Sequence, residues 1–139
     1  QITVVELKRV MESKTLYELV DVRTEGERAI ATIEGFRLLD QAYHDELIEG
    51  DRETLLIFQC HHGIRSQHAA EYFQSQGFRN LYNVQGGIDA WSEVIDSSVP
   101  RYCSFRCAGS ISDQLFWWNC LSRHCCCNCR LTCDVGVMF

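Results

Sequence analysis

The stretch Leu55-Leu56-Ile57-Phe58-Gln59-Cys60-His61-His62-Gly63-Ile64-Arg65-Ser66 decides the architecture. Its first four residues form an unbroken apolar run preceded by Asp51, Arg52 and Glu53, the pattern of a strand covered on both faces and hence central in its sheet. A helix is expected over 66–76, with Ala69, Ala70, Tyr72 and Phe73 on one broad face and Gly77 just past its end. Between strand and helix lies the segment from Cys60 to Arg65. A short loop that turns a strand into a helix N-terminus aims several backbone N–H groups at one point, and the helix end adds partial positive charge there. Gly63 supplies the backbone freedom such a loop needs, Arg65 a permanent charge, and His61 or His62 a pH-dependent one. Cys60, placed in this cradle, should have a lowered pKa and act as a nucleophile near neutral pH.

On either side of this segment, short apolar runs alternate with amphipathic ones, as parallel strands joined by crossover helices do. The fold class is therefore α/β. Residues 2–4 read as a short first strand, and residues 5–11 as a helix carrying Val5, Leu7, Val10 and Met11. Residues 16–22 form the next strand. Residues 41–48 suit a short surface helix with Ala42, Leu47 and Ile48 as its apolar positions, stopped by Gly50. A strand over 80–84 then bends at Gly86 and Gly87 into a helix over 88–94, where Ile88, Trp91 and Ile95 can face the sheet together. Trp91 is read as core. In an open parallel sheet ligands bind at the carboxyl ends of the strands. Three such ends carry polar chemistry: Asp21 with Arg23, Cys60, and Gln85 with Gly86.

Composition narrows the function. A chain of 139 residues with 46% hydrophobic content suffices for one domain plus an appendage. The net charge of -6 and the absence of a Lys/Arg run argue against nucleic-acid and membrane-surface partners. No stretch approaches the roughly 18 to 20 apolar residues of a membrane span, and the first ten residues lack signal-peptide order. A cytoplasmic location is expected. The start at Gln1 instead of Met points to a piece of a longer or processed product, with an upstream domain.

Three ordered motifs give the resemblance. Leu19-Val20-Asp21-Val22-Arg23 with Glu27, Ile33 and Gly35 resembles the first signature of rhodanese-like domains, and Cys60 to Ser66 resembles their active-site loop. Asn83-Val84-Gln85-Gly86-Gly87-Ile88-Asp89-Ala90-Trp91 resembles their closing motif. Residues 1–102 are similar to such a domain throughout. They also resemble the single rhodanese domains fused to glutaredoxin-like modules in bacteria, through the Cys-His-His-Gly loop and the ending Val99-Pro100-Arg101-Tyr102. Many relatives have a His where this chain has Thr32 and a Pro where it has Glu34, so no role for that His carries over.

The resemblance implies a parallel sheet flanked by helices and a sulfurtransferase. In this reading Cys60 takes a sulfane sulfur from a small anionic donor such as thiosulfate, or from a persulfide. It then passes the sulfur to cyanide or to a thiol or protein acceptor, a glutaredoxin-like module among them. Cys60 and Arg65 are the catalytic candidates, and His61, His62, Gly63, Ile64, Asp21 and Arg23 the substrate-binding ones. Asp21 is expected to anchor the loop or pair with an Arg, and Arg23 to form a surface ion pair. No metal and no cofactor are required. Four residues separate Cys60 from Arg65, against five in phosphatase relatives of the fold. That smaller ring suits a sulfur atom, so a Cys-dependent phosphatase is the alternative reading. A non-catalytic binding or regulatory module is a further one, disfavoured by the intact Cys60.

Residues 103–139 differ in kind. Eight of the nine cysteines lie there, with no Lys and no Glu, while Cys60 is the lone cysteine before them. Cys103 with Cys107, Cys126 with Cys129, and His124 have zinc-compatible spacings, but so many cysteines make such spacings nearly unavoidable. A disulfide framework conflicts with a cytosolic rhodanese-like domain. The preferred reading is an irregular, poorly packed tail that is not an evolved domain.

Overall fold

The computed structural model describes residues 1–102; the expectations for residues 103–139 lie outside the described residues. In chain order the elements are α1 (Val4–Glu12), β1 (Tyr17–Asp21), α2 (Glu25–Ile30), β2 (Arg37–Leu38), α3 (Gln41–Glu49), β3 (Leu55–Gln59), α4 (Ile64–Ser75), β4 (Leu81–Asn83) and α5 (Gly87–Val94). The four strands form one parallel sheet in the order β2-β1-β3-β4. The apolar run at 55–58 is thus an interior strand, and its carboxyl end delivers Cys60 to the same edge as Asp21.

Strand alternation divides the core between two faces. Val20, Leu56 and Phe58 pack with Tyr43 and Leu47 of α3, Ala70 and Phe73 of α4, and Phe78. Leu19 and Ile57 alternate to the other face and are also buried, as are Leu7 of α1 and Ile88 and Trp91 of α5. No described helix is long and apolar enough to cross a membrane.

Several details differ from the sequence reading. The expected strand at 2–4 is reduced to one bridge, Ile2 to Val84, because Thr3 caps α1: Glu6 N–H donates to its Oγ1 at 3.2 Å, and its own N–H donates to the Glu6 carboxylate at 2.7 Å. In α3 the buried pair is Tyr43 and Leu47, one helical turn apart, while Ala42 is exposed. Ile95 is only half-buried. Neither α2 nor β2 was expected. α4 starts at Ile64, two residues earlier than read, because Gly63 caps it from the left-handed region at φ +97°. Arg65 and Ser66 therefore belong to its first turn.

Candidate active site around Cys60

The loop after β3 is built so that the Cys60 sulfur faces the start of α4. Gly63 N–H donates to Sγ at 3.0 Å and the buried Ser66 hydroxyl donates at 3.3 Å. Burial pushes the thiol up, but hydrogen bonds from the Ser66 hydroxyl and from the backbone N–H groups of Ser66, Gly63 and His62 outweigh it and leave Cys60 below its ordinary value. Helix start and loop thus favour a thiolate through dipoles, with neither Arg65 nor a histidine charge among the causes.

Neighbouring elements hold the loop in place. Asn83, at the end of β4, donates from Nδ2 to the Gly63 carbonyl at 3.0 Å. The first turn of α5 donates to two loop carbonyls: Ile88 N–H to Cys60 at 2.9 Å and Asp89 N–H to His61 at 3.2 Å. Gly87 makes that approach possible, since a side chain there would run into the Cys60 and His61 carbonyl oxygens. At Gly63 a Cβ would lie 3.1 Å from the Val84 carbonyl oxygen, on top of the positive φ.

The two histidines part company. His61 is buried, and burial followed by repulsion from His62 pushes its pKa down to about 4. Its ring is neutral at pH 7, so the pH-dependent positive charge expected from it is not available in that range. His62 stacks on it with ring centroids 3.9 Å apart, stays exposed, and approaches the Asp89 carboxylate at 3.9 Å. His61, His62 and Asp89 present ligand atoms within 4.8 Å of one another.

Arg65 reaches from the first turn of α4 to α2. Its guanidinium donates to both carboxylate oxygens of Glu27, at 2.9 and 2.6 Å, and Glu27 is held at a pKa of about 2, with Arg65 the main cause. Ile64 remains 68% exposed on the rim. Asp21 and Arg23 form a buried pair instead of the expected surface one: Nε to Oδ1 at 3.0 Å and Nη2 to Oδ2 at 2.7 Å, with both side chains fully covered. Arg28 adds a contact to Asp21 Oδ2 at 2.8 Å. Asp21 thus pairs with arginines, one of the two roles expected for it.

Four contributors escaped the sequence reading: Ser66 as a donor to Sγ, Asn83 and Asp89 as braces, and Glu27 as the partner of Arg65. Ser66 had a signal, since it is a hydroxyl residue directly after Arg65 at the start of the helix. The other three meet the loop only through the tertiary fold.

Residues 3–94 match the family model described as Rhodanese-like domain. The Thiosulfate sulfurtransferase GlpE of Ectopseudomonas mendocina is 38% identical over 84 residues, spanning 60% of this chain and 77% of that protein. The protein of the same name from Shewanella oneidensis is 33% identical over 94 residues, 67% of this chain and 92% of its own length. A Staphylococcus aureus rhodanese-like domain protein of known crystal structure superposes with a TM-score of 0.59 at 29% identity, covering 73% of this chain and 96% of that one. With a parallel α/β sheet, a cysteine cradled at a helix start and a family match over most of the described residues, the chain belongs to the rhodanese-like domain family.

Proposed function

We propose that in this rhodanese-type sulfurtransferase Cys60 carries sulfur as a persulfide between a donor and an acceptor. The carrying observation is the convergence of the Gly63 N–H and the Ser66 hydroxyl on Sγ at 3.0 and 3.3 Å. A hydrogen bond to a charged group contributes about 1.5 to 3 kcal/mol, so these donors favour thiolate over thiol and persulfide anion over its protonated form.

With thiosulfate, the thiolate attacks the outer sulfur, an S–S bond forms at Sγ, the bond to the sulfonate breaks, and its electron pair leaves with sulfite. The Cys60 persulfide anion remains. In the second half-reaction cyanide, or the thiolate of a small or protein acceptor such as a glutaredoxin-like module, attacks the terminal sulfur and returns Cys60 as thiolate. The donors that hold the thiolate are the ones placed next to the charge that the persulfide carries. Cys60 is almost wholly covered, with 1% exposed, and four residues close the ring to Arg65. That space fits one sulfur atom better than a tetrahedral phosphate, which supports sulfur transfer over dephosphorylation.

The test is to incubate the full chain with thiosulfate, map tryptic peptides by mass, then add cyanide and assay thiocyanate. One extra sulfur on the Cys60 peptide, discharged by cyanide and absent from Cys60→Ser, is the expected result. Unchanged turnover in Cys60→Ser would remove the proposal.

A further inference from the structure

The cations around the Cys60 loop are already matched by carboxylates. Arg23 and Arg28 hold Asp21, His62 stands beside Asp89, and Arg65 is clamped by Glu27. The Glu27 clamp is the tightest of those on the rim. Its Oε2 accepts from Arg65 at 2.9 Å, from Thr24 N–H at 3.0 Å and from the Thr24 hydroxyl at 3.1 Å, while Oε1 accepts from Arg65 at 2.6 Å. Thr24 is the N-cap of α2 and Glu27 closes its capping box. The carboxylate is therefore anchored by its own helix and cannot travel with Arg65. For Arg65 to meet an incoming anion it must give up two short charge-assisted bonds and leave Glu27 without its guanidinium at a half-buried position.

A dianion is disfavoured at such a rim, where the carboxylates of Glu27 and Asp89 both act on His61, the residue that follows Cys60. A carbon-bearing persulfide brings less charge at its reacting end, and an apolar surface awaits its carbon: Ile64, between Gly63 and Arg65, is 68% exposed. We infer that Glu27 is a specificity-determining residue, which holds Arg65 away from small dianionic donors such as thiosulfate and turns the site toward organic persulfides, R–S–SH. The inference rests on Cys60 being the sulfur carrier. In the loading step the Cys60 thiolate attacks the outer sulfur of R–S–SH, a new S–S bond forms at Sγ, the original S–S bond breaks, and the electron pair leaves with R–S⁻. The proton stays on the transferred sulfur until it is lost to solvent. Specificity of this kind comes from an element placed against the wrong ligand as much as from contacts to the right one.

The experiment follows single-turnover sulfur loading of Cys60 in the full chain by peptide mass, with thiosulfate, cysteine persulfide and a short peptide bearing a persulfidated cysteine as donors. Glu27→Gln is expected to raise the rate constant with thiosulfate by about ten-fold, by releasing Arg65 and removing a charge, and to change the persulfide rates by less than about two-fold. Faster loading from the peptide than from the free amino acid assigns a protein donor, and the reverse a small thiol. Equal effects of Glu27→Gln on thiosulfate and persulfides would overturn the inference. Since the substitution also breaks a helix cap, a measurement on the unaltered protein stands beside it: sulfate, an unreactive dianion, should leave Cys60 alkylation by iodoacetamide unchanged, and protection at about 1 mM sulfate, the occupancy a true dianion site would show, overturns the inference equally. No loading from any donor would instead sink the sulfurtransferase reading itself.

Discussion

Two buried acidic groups stand near each other at the carboxyl edge of the sheet and are stabilised by opposite means. Asp21 ends β1, in register with Gln59, the residue just before Cys60. The Asp21 carboxylate is gripped by two guanidinium groups and by the Arg23 N–H at 3.0 Å. The Cys60 sulfur is held by neutral donors, N–H groups and a hydroxyl. Full counter-charges make Asp21 a fixed strut, because any departure would leave a buried arginine exposed to an apolar surrounding. Dipoles lower the thiolate's energy yet leave its electron pair available, and this is what a nucleophile needs. Burial alone does not separate a structural anion from a reactive one; the kind of partner does.

The sharpest way to break this contrast is Asp21→Asn. Removing the charge while keeping the shape leaves Arg23 buried with half its partner gone, and a loss of about 3 to 5 kcal/mol in unfolding free energy is expected from urea titration. Sulfur loading per folded molecule should change far less than stability. A variant that is fully stable but does not load sulfur would reverse the assignment and place Asp21 in the chemistry.

That contrast was only half legible in the sequence. The apolar run at 55–58 and the glycines Gly63, Gly77 and Gly87 announce strand, cradle, helix stop and helix-entry bend through local rules, and the structure keeps them. α2 was missed because none of its residues is buried, so it has no apolar stripe to read, although Thr24 and Glu27 form a capping-box pair visible in the sequence. β2 is two residues long and carries no period. Arg65 is legible as a cation, but its partner Glu27 lies 38 residues earlier, and no local pattern reports such a pairing. For His61 and His62 residue type carries no distinction, since the backbone turns one ring inward and the other outward.

The histidine difference gives an intermediate effect. An unfolded imidazole takes up a proton near pH 6.5, while His61 in the fold resists until about 4. Between those values the unfolded chain binds more protons, so stability falls as pH falls through the window and is unaffected above it. By pH 5 the loss from this residue should reach roughly 2 kcal/mol. His61→Asn, which cannot charge, should flatten that part of the stability profile relative to the parent protein. An unchanged slope would show that His61 protonates in place and that the cradle tolerates its charge, bringing it closer to the role the sequence suggested.

The smallest expected effect probes the dipoles themselves. Ser66 is fully buried and its hydroxyl points at Sγ, so Ser66→Ala removes one donor from the anion while the Gly63, His62 and Ser66 backbone N–H groups stay in place. The loss of one hydrogen bond to a charged group, about 1.5 kcal/mol, predicts a roughly ten-fold slower iodoacetamide reaction near neutral pH, together with alkylation that begins at higher pH than in the parent. The sign follows from the thiolate being the form that loses its donor: the pKa must rise. Stability should respond in step with pH, because a folded thiol acidified below its unfolded value contributes stability only where it is ionised, and Ser66→Ala trims that contribution at alkaline pH while leaving acid stability alone. If alkylation kept its rate and its pH midpoint, the backbone N–H groups of the α4 start would by themselves account for the acidity of Cys60, and the contrast with Asp21 would rest on helix geometry without help from any side chain.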